Sequence, residues 1–67
     1  MTKPRKPWRV ILTKSGVEVA EVEHTSEAKA FEHVRAALQS EADTAKVMQW
    51  TDGRWWHFET MHAEDML

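Results

Sequence analysis

Ala45-Lys46-Val47-Met48-Gln49-Trp50-Thr51-Asp52-Gly53-Arg54-Trp55-Trp56-His57-Phe58-Glu59-Thr60-Met61 is the stretch whose reading decides the fold. At its centre, Asp52-Gly53 is a preferred pair for a two-residue type I′ turn, which needs positive φ at both positions. The flanks are rich in Val, Trp and Phe, so Ala45–Thr51 and Arg54–Met61 read as the two strands of a hairpin. A two-residue turn sets Trp50 opposite Trp55, Gln49 opposite Trp56, Met48 opposite His57, Val47 opposite Phe58 and Lys46 opposite Glu59. Alternation then divides the hairpin into two faces. One holds Ala45, Val47, Trp56, Phe58 and Thr60 and is expected to lie beneath a helix, with Trp56 more buried than Trp50 or Trp55. The other holds Lys46, Met48, Trp50, Trp55, His57 and Glu59.

The covering helix is written just upstream. Thr25 and Ser26 are N-cap residues, Glu27 suits the positive end of the helix dipole, and Ala30, Phe31, Val34, Ala37 and Leu38 follow a 3.6-residue period. Lys29, Glu32, His33, Ala36, Gln39 and Ser40 fall on the outward side, and Asp43 and Thr44 close the loop behind it.

Further upstream, Trp8, Val10 and Leu12 alternate with Arg9, Ile11 and Thr13, and Val17 to His24 carries valines interleaved with Glu18, Glu21 and Glu23. A three-residue loop over Ser15–Val17 pairs Leu12 with Ala20, Val10 with Val22 and Trp8 with His24, while Arg9 meets Glu23 and Lys14 meets Glu18. A slip of one residue would send each side chain to the wrong face, so the matched pairs select this register. The order is ββαββ. The expected fold is α+β, a four-stranded antiparallel sheet in the order 2-1-3-4 with one helix on one face, linked by a right-handed crossover. The domain spans residues 8–61, between a basic arm at 1–7 and a C-terminal tail at 62–67.

The chain of 67 residues has a net charge of −2 that conceals an uneven distribution. Lys3, Arg5, Lys6, Arg9 and Lys14 occupy the first 16 positions without an acid, whereas the remainder sets four basic residues against eleven acids, so the two parts carry +5 and −7. Cysteine is absent. No apolar run is long enough to cross a bilayer and no secretory signal follows the basic start, so the expected setting is the cytoplasm with no membrane partner.

Catalytic chemistry has little to stand on. Ser15 is a turn residue, Ser26 a cap, the carboxylates are dispersed, and Gly16 and Gly53 are separate turn glycines rather than a phosphate loop. His57 and Glu59 share a strand face, with His62 beyond, but a zinc site needs three or four ligands, so no metal or cofactor is expected. An enzyme is therefore not the expected reading.

The hairpin followed by Thr25-Ser26-Glu27-Ala28-Lys29-Ala30-Phe31 resembles the arm-type DNA-binding domains of tyrosine integrases over residues 8 to 38. Those domains place three strands and a basic sheet before the helix. Here there are two strands, the second lined by Glu18, Glu21 and Glu23, so no binding residue is carried across.

The expected function is that of a small non-enzymatic interaction module, such as an accessory or regulatory protein of a phage or mobile element. It would bind a protein partner or a second copy through Lys46, Met48, Trp50, Trp55 and His57, because tryptophan and methionine are enriched where proteins meet. The alternative is a nucleic-acid binder in which Lys3, Arg5, Lys6 and Arg9 neutralise phosphates and Trp8, Trp50 and Trp55 stack on bases.

Overall fold

The computed structural model of the protein describes residues 5–66. Strands β1 (Trp8–Lys14) and β2 (Val17–His24) form the first hairpin, helix α1 (Glu27–Leu38) follows, and β3 (Thr44–Thr51) and β4 (Arg54–His62) form the second. A 3-10 turn, Ala63–Met66, succeeds β4. The sheet is antiparallel in the order β2-β1-β3-β4, as expected for ββαββ with one helix.

Both hairpin turns contain two residues held at positive φ: Ser15 at 52° with Gly16 at 81°, and Asp52 at 51° with Gly53 at 80°. The first loop is thus shorter than expected, with Lys14 opposite Val17 and Thr13 opposite Glu18. A bulge at Val19 absorbs the difference, so Leu12–Ala20, Val10–Val22 and Trp8–His24 pair as expected. A second bulge falls at Phe58. Up to His57 the pairing follows the turn, with Trp50 opposite Trp55 and Met48 opposite His57; beyond it Val47 faces Glu59 and Lys46 faces Thr60 instead of Phe58 and Glu59. The extra residue of a bulge shifts every later side chain to the other face. Glu59 therefore joins the helix side, and His57 and Glu59 do not share a face.

Helix α1 starts at Ser26, whose Oγ accepts the Lys29 N–H at 3.3 Å. Its inward stripe of Ala30, Val34, Ala37 and Leu38 packs on Trp8, Val10, Leu12, Ala45 and Val47, with Ala42 closing the core. Burying such a stripe removes apolar surface from water at a gain of roughly 25 cal/mol per Å², which supplies most of the helix's stability. The helix lies over β1, β3 and β2 and meets β4 where Phe31 approaches Phe58 at 6.1 Å. Most of β4 is left uncovered, and so Trp56 is 41% and Phe58 45% exposed, contrary to the expectation that they are core.

Asp43 knits three segments at the far end of the sheet. Its N–H donates to Thr13 O at 3.0 Å, its Oδ2 accepts from Ser15 N–H at 2.9 Å, and its carbonyl accepts from Ala63 N–H at 2.9 Å. Ala63 also packs against the core. At the opposite end the Pro7 carbonyl accepts from Trp50 N–H at 2.7 Å, which extends the β1–β3 ladder one residue into the arm.

Candidate binding face

Residues of β1 and β3 that point away from the helix are fixed by those that point toward it. Val10, Leu12, Ala45 and Val47 are fully buried, so Arg9, Ile11 and Thr13 of β1 and Thr44, Lys46, Met48 and Trp50 of β3 lie on the open face. Their cross-strand partners Glu18, Glu21, Glu23, Trp55, His57, Thr60 and His62 share it. Lys46, Met48, Trp50, Trp55 and His57 are thus together on one uncovered surface. Met48, Trp50 and Trp55 are half-buried; Lys46 and His57 are exposed.

The tryptophans pack edge to face, their centroids 5.5 Å apart at 76°. Arg9 completes the group. Its guanidinium carbon lies 4.0 Å over the Trp55 ring, its Nη2 donates to Glu23 Oε2 at 3.0 Å, and its Nε sits 3.1 Å from Glu21 Oε1, within ion-pair range but off the hydrogen-bonding direction. Cation–π and partly exposed ion-pair contacts contribute about 0.5–1 kcal/mol each. Arg9 is consequently committed to its own sheet.

The residues assigned to nucleic acid do not assemble in the same way. Lys3 lies outside the described residues, Arg5 and Lys6 are exposed, and the charge of Arg9 is met by two carboxylates. Trp8 is 9% exposed beneath the helix, edge-on to Phe58 at 4.9 Å, and so offers no stacking surface, contrary to that expectation.

Two features escaped the sequence reading. On the helix side, Arg54 stacks over Trp56 at 3.7 Å while the Trp56 indole donates to Thr51 O at 3.0 Å. Helical His33, expected to point outward, instead meets His24 of β2, with Nδ1 and Nε2 2.9 Å apart. Partial burial, and then His33, Lys6 and Lys29, lower the pKa of His24 below the usual 6.5. A 3.6-residue period allowed some rotation about the helix axis, and a histidine at its margin was the only available signal.

Among the described residues, no cluster of three or more His, Asp or Glu is placed to hold a metal ion, and no helix is long and apolar enough to cross a membrane. No family model matches the chain, and no curated protein or solved structure is significantly similar to it.

Proposed function

We propose that the chain is a small non-enzymatic interaction module that binds a protein through the open face of its sheet. The observation that carries this reading is the Trp50–Trp55 pair with Met48 beside it, backed by Arg9, on the face opposite helix α1. Rigid aromatic side chains supply large contact area at low entropic cost and are typical anchors of protein interfaces. Arg9 holds Trp55 in place before any partner arrives, which lowers the ordering cost of binding. The nucleic-acid alternative loses support from the burial of Trp8, the pairing of Arg9 and the row of glutamates bordering the same face.

Capture from an extract of the source cells tests the reading, with tagged wild-type chain compared with Trp50→Ala and Trp56→Ala. Loss of the co-purifying protein, an untagged copy included, in Trp50→Ala alone is expected. Loss in Trp56→Ala with retention in Trp50→Ala would move the binding site to the helix side.

A further inference from the structure

The strand registers align the open face into rungs. Glu18 of β2 lies opposite Thr13, Thr13 opposite Thr44, and Thr44 opposite His62 of β4. The next rung is Glu21, Ile11, Lys46, Thr60, and the third is Glu23, Arg9, Met48, His57. Each rung starts with a carboxylate on β2 and ends with an imidazole or a hydroxyl on β4. The face is polarised across its width, at right angles to the strands, with threonines between the borders of the first rung and apolar and cationic side chains between those of the other two.

We propose that the occupant of this face is a second copy of the chain, packed sheet on sheet about a two-fold axis that runs along the strands; the proposal rests on the open face being the binding face. Such an axis lays β2 over β4 of the partner subunit and β1 over β3 of the partner subunit while preserving the height of each rung. Glu18 then meets His62 of the partner subunit, Glu23 meets His57 of the partner subunit, and Trp50 lies over Pro7 of the partner subunit. Every contact occurs twice, as an isologous pair requires. The other in-plane axis, perpendicular to the strands, would set β2 on β2 and turn the glutamates on each other, so charge selects between the two arrangements.

Geometry permits the contact. Aligned sheets pack about 10 Å apart with strands rotated by about 30°, which moves a residue on an outer strand by about 4 Å at mid-strand and by about 5–6 Å at the end rung of Glu18 and His62, a distance that long Glu and His side chains span. Four strands at about 4.8 Å and seven residues at about 3.3 Å give a footprint of roughly 19 by 23 Å. Buried on both copies, that footprint falls short of the roughly 1,000 Å² that a stable specific interface clears, so the dimer is a weak, transient one whose dissociation constant lies above the micromolar range.

The Glu18–His62 contact is the cleanest to test, because Glu18 holds no ion pair among the described residues. Sedimentation equilibrium of the full chain is run from about 1 μM to 1 mM for wild type, Glu18→Lys, His62→Glu and an equimolar mixture of the two variants, with circular dichroism to verify folding. Wild type is expected to dimerise. Glu18→Lys sets a cation against His62, and His62→Glu sets a carboxylate against Glu18, so each alone dissociates at least about tenfold more readily, the equivalent of about 1.4 kcal/mol. In the mixture the introduced lysine meets the introduced glutamate at one contact, the native glutamate meets the native histidine at the other, and the dimer returns. A wild-type chain monomeric throughout, a dimer indifferent to both variants, or a mixture that fails to re-associate although both variants are folded overturns the second copy as occupant. The open-face reading is judged separately by whether Trp50→Ala abolishes capture of a different protein.

Discussion

The Arg9 side chain of β1 and the Trp55 ring of β4 meet across the intervening β3, with the guanidinium carbon 4.0 Å from the ring centre. Three strands are thereby clasped on the side away from the helix, and Glu21 and Glu23 hold the same side chain from the fourth. Arg9→Gln should destabilise the fold by about 1–2 kcal/mol, the combined worth of a cation–π contact and a partly exposed ion-pair cluster. Urea unfolding checks the loss, and Trp fluorescence should change in the folded state as the indole environment opens. An unaltered emission spectrum would mean that the clasp is not formed in solution.

The core should respond in a different order from a simple alternation of faces along β4. Leu12 is fully buried, and Leu12→Ala should cost about 2–5 kcal/mol. Phe58→Ala should cost less than that, and less than the roughly 3–5 kcal/mol typical of a buried phenylalanine, because 45% of its surface already meets water. Chemical denaturation of the two variants decides it.

His24 makes stability depend on pH. Its folded-state pKa is lowered, first by burial and then by His33, Lys6 and Lys29, so the unfolded chain binds the proton more readily. The contribution is therefore complete above about pH 6.5 and is lost as pH falls below it toward the lowered value. Glu32 is the acid that lines the same depression as His24, His33 and Lys29. His24→Gln should flatten the decline in stability between about pH 7 and pH 5, measured by urea midpoints at each pH. An identical slope in wild type and variant would count against the assignment.

Gly16 sits at φ +81° with nothing within 4 Å of where a Cβ would stand. Any penalty for Gly16→Ala is then conformational rather than steric, about 1–2 kcal/mol. Gly16→Asn should recover much of it, since asparagine tolerates the left-handed region. Thermal unfolding of both variants provides the comparison.

Much of this architecture was legible in short range. Asp52-Gly53 announces its own turn, and the matching of Trp8, Val10 and Leu12 with His24, Val22 and Ala20 left a single register that buries one face. The open-face grouping of Met48, Trp50, Trp55, His57 and Lys46 followed from alternation next to that turn. The bulges at Val19 and Phe58 were illegible because a bulge reflects how a whole sheet twists and no residue type demands it. Carrying strict alternation past Phe58 misplaced Glu59 and made Trp56 and Phe58 core. The Arg9–Trp55 stack was out of reach for another reason: it joins strands that are not neighbours, and pairwise register says nothing about side chains long enough to meet across an intervening strand.

The bulges at Val19 and Phe58 fall one on each outer strand of the sheet, since β2 and β4 are its two borders. A flat border with Val17, Val22 or Trp56 beside it would be a template on which further chains could add strand by strand without limit, the beginning of a fibril. The irregular spacing of N–H and C=O groups at each bulge interrupts that template. Removing both Val19 and Phe58 would restore an even ladder at each border, and the chain would be exposed to open-ended polymerisation even if its core were intact.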